Sequence, residues 1–345
     1  MPNFAPADLH ALALASLLAV GTSPEGAAMV ADSLIEGNLT GHDSHGVIRL
    51  PLYIQDAGEG LVQAAAIPEV LQTRGGTAVV DGRIGFGQPA FWLATRTAID
   101  LARGNGVSCV AVRNSYHLGR VAPYVEEIAR AGMVGIAMAN AAPAVAPYGG
   151  AGRVMGTNPF AWAAPRAAGA HPLSHDIATA SIAEGKLKVA RAKGAQVAPG
   201  LILDADGNPT TDPNDFYAMG TIVAFGGHKG SGISLLAQVL GRGLAGMDPS
   251  SYDGPRGVNG PVVMAIDIAC FDALETFAAQ TEAQIAAVKG TRPAAGVEEV
   301  LLPGEPELRN RAERERTGVP LADSTVADLA TLAATFGLPA PQPLG

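Results

Sequence analysis

The sequence predicts an α/β protein: strands alternating with helices, and a helical N-terminal part. Three observations carry that expectation. Strand and helix patterns alternate between residues 78 and 138. The first ~60 residues read as helix alone. And 43 of the 345 residues are glycine, an excess that implies many tight loops and close backbone approaches.

Taken in order, Asp8 opens an amphipathic helix that closes at Gly21. Ser23-Pro24-Glu25 starts a second, with Ser as N-cap, Pro at the first helical position and an acid in the first turn. The apolar-periodic run 27–39 stops at Gly41, a C-cap candidate. Ser44 reads as the N-cap of a further short helix. Ala78-Val79-Val80-Asp81 is a strand, followed by a glycine-rich loop (82–87), a helix (89–103), a strand (108–112), a loop (114–119), a helical run to Ala131 and a strand (134–138). Residues 140–165 are dense in Gly, Pro and Ala and break the alternation. Helices follow at 183–193 and 230–244, a strand at 261–266, and helices at 276–289, 307–317 and from Ser324 onward. The expected organisation is residues 1–75 packed with the tail 290–345, around an α/β body of 76–289.

Composition narrows the function. A net charge of −9 argues against nucleic acid as partner, because phosphate binding needs a basic face. The apolar run 11–20 lacks the positive flank of a signal peptide, since the first Lys or Arg is Arg49. No run reaches the roughly 18 uninterrupted apolar residues of a membrane span. Cys109 and Cys270, both in apolar surroundings, suit a reducing compartment, so the expected location is cytoplasmic.

The densest chemistry lies in Gly41-His42-Asp43-Ser44-His45-Gly46-Val47-Ile48-Arg49, in a chain with 7 His. If Ser44 caps a helix, His45 lies in its first turn and Arg49 four residues on, on the same face. Arg can grip a small carboxylate bidentately, the helix N-terminus favours its charge, and His can move a proton beside it. Two plainer readings stand beside this. His42-x-x-His45 has metal-ligand spacing, though no third ligand motif accompanies it, and Asp43 and Ser44 can simply be caps.

Other candidates are weaker singly. Asn114-Ser115-Tyr116-His117-Leu118-Gly119 sits where a strand gives way to a helix, the ligand-binding position of α/β folds; His117 there can accept a proton, touch a cofactor or cap the next helix. Asp176 to Ser181 offers an acid and hydroxyls for a ribose contact or an N-cap. Gly226 to Gly232, with His228 and Lys229, opens a helix and can bind phosphate through backbone amides, but it is no P-loop, because Gly follows Lys229. No Gly-x-Gly-x-x-Gly lies between a strand and a helix, so the Rossmann fingerprint fails. Pro172 between His171 and His175 argues against a helical ligand pair.

Six segments together resemble the type 2 malate/L-lactate dehydrogenase family: residues 41–46, 114–119, Gly156-Thr157-Asn158-Pro159-Phe160, Asp176-Ile177-Ala178-Thr179, His228-Lys229-Gly230 and Leu302-Pro303-Gly304-Glu305. They occur in the family's order, and His-Asp-Ser-His-Gly, Gly119-Arg120 and Pro303-Gly304-Glu305 look closest to its hydroxycarboxylate dehydrogenase B branch. The resemblance implies a non-Rossmann malate/L-lactate dehydrogenase type 2 fold, a mixed sheet with helices, and NAD(P)H-dependent reduction of 2-oxo acids or the reverse oxidation by a homodimer, with a cyclic imino acid reductase or a ureidoglycolate-type dehydrogenase as the alternatives within the family. Carried over by position, His45 resembles the proton donor to the carbonyl oxygen, with Ser44 supporting it. Arg49 resembles the substrate carboxylate clamp and Thr157 a substrate contact. His117 is named as the catalytic proton acceptor in some members. His45, His117, Leu118, Gly119, Asp176, Ile177, Ala178, Thr179, Ala180, His228, Lys229, Asn259, Leu302, Pro303, Gly304 and Glu305 match cofactor-binding positions, for NAD or NADP, and the resemblance implies no metal.

Two departures bear on substrate and cofactor. The family's cyclic-imine reductases place an acid, relayed through serine, shortly after the Asp-x-Ala-Thr segment; around Gly185-Lys186 this chain has Lys instead. His175 and Ala180 stand where an apolar residue and Ser are usual. A hydrolase holding a metal on His42, His45 and His175 is the alternative from another class.

Overall fold

The computed structural model describes residues 1–247 and 258–344. The chain begins with β1 (Asn3–Phe4), α1 (Pro6–Ala19) and α2 (Pro24–Leu39). Ser23 caps α2 by accepting from the Gly26 amide at 3.1 Å, and Gly41, at φ +85°, lies just past its end. Two 3₁₀ turns, Asp43–His45 and Val47–Arg49, then lead into α3 (Leu50–Gly58). The expected N-cap role of Ser44 is therefore not realised: Ser44 sits inside the first turn, and its hydroxyl faces the His45 ring rather than a backbone amide. Extended backbone at Gly46 interrupts the two turns. A side chain there would drive into Asn38, whose carboxamide lies 2.3–2.4 Å from where a Cβ would stand.

The body continues with β2 (Glu69–Arg74), β3 (Thr77–Gly85), α4 (Gly87–Asn105), β4 (Val107–Ser115), α5 (Ala122–Arg130), β5 (Met133–Met138), β6 (Val145–Ala146), β7 (Phe160–Ala164), β8 (Leu173–Ile177) and α6 (Glu184–Ala192). After β9 (Ile202–Leu203), β10 (Pro209–Thr210), α7 (Pro213–Tyr217) and β11 (Thr221–Val223) comes α8 (His228–Gln238), which runs on as a π-helical turn, Val239–Gly243. The chain closes with β12 (Val262–Asp267), α9 (Leu274–Lys289), α10 (Glu305–Thr317), β13 (Val319–Pro320) and α11 (Asp323–Thr335).

Seven strands form the main sheet in the order β2-β3-β4-β12-β5-β7-β8. Only β3 and β4 run parallel; every other neighbouring pair is antiparallel. This mixed topology is not the doubly wound parallel sheet of a dinucleotide fold. The apolar faces of α4 and α5 cover it, with Phe91, Ala94, Tyr124 and Ile128 packed on Val80, Val110, Val112 and Val263. The four-stranded sheet β10-β9-β11-β6 has its own small core around Leu187, Ile202, Phe216 and Ile222.

Several sequence expectations shift here. The glycine-rich loop 82–87 is instead the end of β3, kinked where Arg83 and Ile84 adopt positive φ. β4 reaches Ser115, three residues further than its apolar pattern. Residues 160–177, expected as irregular or unassigned, hold two strands of the main sheet. Phe4, Leu9, Leu34, Leu50 and Tyr53 share one core with Val319, Leu321, Leu329 and Leu332, and β1 pairs with β13. On that packing we propose the N-terminal part and residues 290–345 as one unit around the α/β body, with the first boundary near 68 rather than at the expected 75, because β2 joins the body's sheet.

Candidate active site

Three elements converge on one opening. The loop between α2 and α3 supplies Ser44, His45 and Arg49; α3 supplies Tyr53; the loop after β4 supplies His117. The loop conformation is fixed from behind by Asn38, whose Oδ1 accepts from the Val47 amide at 2.8 Å while its Nδ2 donates to Asp43 Oδ1 at 2.8 Å. The two imidazoles stack, with centroids 5.5 Å apart and planes 17° from parallel. Ser44 Oγ lies 3.2 Å from His45 Nδ1, and Tyr53 Oη lies 2.5 Å from His117 Nδ1. Among the described residues, neither Nε2 has a hydrogen-bond partner, so each ring keeps a nitrogen for a ligand. Both rings are partly open to solvent on one side although the protein around them is dense.

That density sets their protonation. Burial, then the charges of Arg49, His42 and Arg120, holds His45 down at about 3. Burial, then Arg49 and His45, holds His117 well below the usual histidine range. Both are neutral imidazoles at physiological pH. Arg49 is anchored by its Nε, which donates to the Ser44 carbonyl at 2.7 Å. Among the described residues no carboxylate pairs with its guanidinium. A half-buried cation without a counter-ion, beside two neutral imidazoles, is a seat for a small carboxylate.

A second group of expected residues lines a cleft of about 190 Å³. Asp176 and Ile177 form one wall and Leu302, Pro303 and Gly304 another, with Arg120, His175 and Glu307 between. Asp176 caps α5: its Oδ2 accepts from the Val121 and Ala122 amides at 2.8 and 2.9 Å. Glu305 closes the turn at the head of α10 by accepting from the Leu302 amide at 2.9 Å. Arg120, which lines this cleft, follows His117, Leu118 and Gly119 directly in the chain, and its charge is among those that hold the His45 pKa down. Its Nη1 donates to Glu36 and Thr40, but among the described residues its buried Nε has no partner. A phosphate or ribose oxygen would satisfy that orphan donor, so this cleft fits an anionic, hydroxyl-rich dinucleotide.

The remaining expected residues form other groups. Thr179 is buried, and its hydroxyl donates to the Thr157 and Asn158 carbonyls at 3.1 and 3.0 Å; Ala180 bridges to Ala224, and Ala178 directly follows β8. Asn259 Nδ2 donates to the Asn140 carbonyl, and its own amide to Ser115 at 2.7 Å. His228 and Lys229 are exposed at the start of α8, where the His228 ring packs edge-on to Tyr148. Among the described residues, no three His, Cys, Asp or Glu side chains converge as metal ligands, and His42 pairs with Glu307 at 3.2 Å. The donor set that a metal hydrolase would need on His42, His45 and His175 is not assembled.

The sequence reading gives no role to Tyr53 or Gln88, and names Arg120 and Gly185 only within the matches Gly119-Arg120 and Gly185-Lys186. Tyr53 lies eight residues beyond His45, and a phenol there has a polar end to satisfy. Gly185 shows its role only in three dimensions: a Cβ at that position would stand 3.0 Å from Ser44 Cβ. The residue facing Ser44 is thus Gly185, not Lys186.

The profile of the malate/L-lactate dehydrogenase family matches residues 4–330. The chain belongs to that family. Hydroxycarboxylate dehydrogenase B of Escherichia coli K12 is 34% identical over 346 residues, 98% of this chain and 95% of that one. A Δ1-pyrroline-2-carboxylate/Δ1-piperideine-2-carboxylate reductase of Pseudomonas syringae is 34% identical over 91% of each chain. The solved sulfolactate dehydrogenase of Methanocaldococcus jannaschii superposes with a TM-score of 0.89 at 32% identity, covering 97% of this chain and 98% of that chain. The mixed-sheet architecture described above is therefore the malate/L-lactate dehydrogenase fold, and the family is one of hydroxy acid dehydrogenases.

Proposed function

We propose that the protein is an NAD(P)H-dependent dehydrogenase that interconverts linear 2-oxo acids and 2-hydroxy acids. Arg49 carries the reading: a guanidinium without an acidic partner among the described residues, held by its Nε and set beside the stacked His45 and His117. In this reading Arg49 clamps the substrate carboxylate and so presents C2 and its oxygen to the imidazoles. The bound nicotinamide supplies the hydride to C2. His45 gives a proton to the oxygen as the carbonyl π bond breaks, and takes it back in the oxidation. Ser44 holds His45 Nδ1, and Thr157 is read as a further substrate contact. The cleft along Asp176–Ile177 and Leu302–Gly304, with Arg120, is read as part of the NAD or NADP seat, together with Leu118, Gly119, Ala178, Thr179, Ala180, His228, Lys229, Asn259 and Glu305.

The depressed His45 pKa bears on direction. In the free protein His45 is unprotonated, the form that hydroxy acid oxidation requires, but with its pKa held at about 3 it is a weak base until a bound carboxylate raises it. For reduction it must first be charged, and a substrate carboxylate on Arg49 offsets the second-largest cause that holds its pKa down.

A cyclic-imine reductase is the second reading, favoured by the Pseudomonas relative. Against it, Gly185 leaves no acid facing Ser44. We also read the protein as a homodimer, on the exposed apolar face of Leu235, Leu236 and Val239 along α8, and as cytoplasmic, since both cysteines are free.

The test is loss of reduced-nicotinamide absorbance with NADH and NADPH in parallel, against linear 2-oxo acids and cyclic imino acids. Turnover of any linear 2-oxo acid supports the proposal and names the coenzyme. Turnover of imines alone moves the second reading forward, and silence across the panel overturns both.

A further inference from the structure

We infer that Tyr53 and Gln88 lock His117 in one neutral tautomer, so that its Nε2–H only donates a hydrogen bond to the substrate while His45 alone moves the proton. This deepens the dehydrogenase reading and rests on it.

The argument is a count of protons. Gln88 Nε2 donates to Tyr53 Oη at 3.4 Å, and His117 Nδ1 lies 2.5 Å from the same oxygen. A phenol has one proton to give. Gln88 Nε2 only donates, and among the described residues His117 Nδ1 is the one acceptor beside the phenol, so Tyr53 directs that proton at His117 Nδ1. A neutral imidazole that accepts at Nδ1 carries its own proton on Nε2.

The surroundings hold this arrangement. Tyr53 and Gln88 are 1% and 0% exposed, so no solvent competes for the phenol. The Tyr53 ring is wedged edge-on against Tyr116, with centroids 5.5 Å apart, and tilted against Phe86 at 5.8 Å. Tyr116 is itself fixed by donating its hydroxyl to the buried Asp56. Burial pushes the Tyr53 phenol up to about 12, so it stays a neutral donor.

The consequence is a division of labour between the two histidines. Losing the Nε2 proton from His117 would leave an imidazolate, or a tyrosinate if the Tyr53 proton followed, and both are prohibitive in this buried setting. His117 thus polarises the substrate oxygen without transferring a proton, as a neutral imidazole can. The stacked His45 has no phenol at its Nδ1; it has the Ser44 hydroxyl at 3.2 Å, which can accept as well as donate. Its charge state is therefore free to change. Tyr53 and Gln88 are positioning residues acting through His117.

The experiment is two-bond ¹H–¹⁵N correlation NMR on the histidine-labelled protein, with His117 assigned by a His117→Asn variant. The expected wild-type signal is the Nε2–H tautomer. Tyr53→Phe keeps the buried volume and removes the proton; it should give a mixed tautomer signal and lower kcat about 10- to 100-fold, with NADH or NADPH affinity by fluorescence titration within about twofold. Gln88→Leu should loosen the same tautomer should Tyr53→Phe fail to fold. A wild-type His117 protonated on Nδ1 overturns the inference, as does a Tyr53→Phe enzyme with unchanged tautomer and kcat. Wild-type turnover in both His45→Ala and His117→Ala would likewise overturn the division of labour, whereas silence of the wild-type enzyme across the 2-oxo acid panel would overturn the dehydrogenase reading, whatever the tautomer.

Discussion

Arg314 and Asp43 meet in a two-pronged ion pair, Nη1 to Oδ1 at 2.6 Å and Nη2 to Oδ2 at 3.1 Å. Asp43 lies two residues before His45, so this contact ties α10 to the turn that carries the proposed proton donor. It is one of a stripe along α10: Glu307 pairs with His42, Asn310 reaches the Thr40 carbonyl, and Arg311 pairs with Glu36. Asp43 is half-exposed, so the pair's contribution is nearer that of a surface bridge than a buried one. Arg314→Ala should cost about 1 kcal/mol in a denaturant titration. Because the turn is loosened while the dinucleotide cleft is untouched, kcat should fall by roughly tenfold with little change in coenzyme KM. Arg314→Lys, which keeps the charge but not the fork, should recover part of it; an unchanged kcat in Arg314→Ala would sink the positioning role.

Arg49→Ala should act mainly through KM. Removing a guanidinium that meets the carboxylate in ground state and transition state alike raises KM for the oxo acid, by about a hundredfold for a charge-assisted bidentate contact. His45→Ala should instead lower kcat by about 10²- to 10⁴-fold at nearly constant KM. Steady-state kinetics of the two variants on one 2-oxo acid separate the roles, and the reverse pattern would exchange them.

The fold was legible where local pattern and tertiary context agree. Ser23-Pro24-Glu25 and Gly41 bracket α2 as capping chemistry requires, and the β-branched runs of β4, β5 and β12 are central strands. β7 and β8 were not legible, because Phe-Ala-Trp-Ala-Ala is a short alanine-rich run without β-branched residues and Leu-Ser-His-Asp-Ile is polar at its centre; pairing of β7 with β5 and of β8 with β7 decides them. In the site, His45 and Arg49 were visible as a dense local motif. Their helical register was not, since Gly46 is extended for the sake of Asn38, a neighbour eight residues back in the chain. Tyr53, Gln88 and Arg120 act through contacts 64, 35 and 84 residues away, which no local spacing can reveal.

Acid should destabilise the protein earlier than its carboxylates alone would. His45 and His117 have folded pKa values below the unfolded 6.5, to about 3 for His45. For a group so depressed, the folded state binds fewer protons than the unfolded one, so its contribution is fully present above about 6.5 and is lost as pH falls toward the folded value. Urea midpoints should therefore decline from pH 7 to pH 5, and His117→Asn should flatten that decline. The same neutral His45 should keep kcat/KM for hydroxy acid oxidation level over that range; an acidic limb near pH 6.5 would mean that the imidazole is not held down.

Gly185→Asp tests the basis of substrate choice. At the second position of α6, an acid is favourable beside the helix N-terminus. Its Cβ would press on Ser44 Cβ at 3.0 Å, so the Ser44 turn must give by a few tenths of an ångström to admit it. The carboxylate would then lie against the hydroxyl that holds His45 Nδ1 and favour a charged imidazole. That charge helps a reaction in which the site must deliver a proton and hinders one in which it must accept one. The variant should lose hydroxy acid oxidation and gain on Δ1-piperideine-2-carboxylate relative to a linear 2-oxo acid, read as the ratio of the two kcat/KM values. An unchanged ratio in a folded variant would show that the residue facing Ser44 does not govern the choice between oxo and imino substrates.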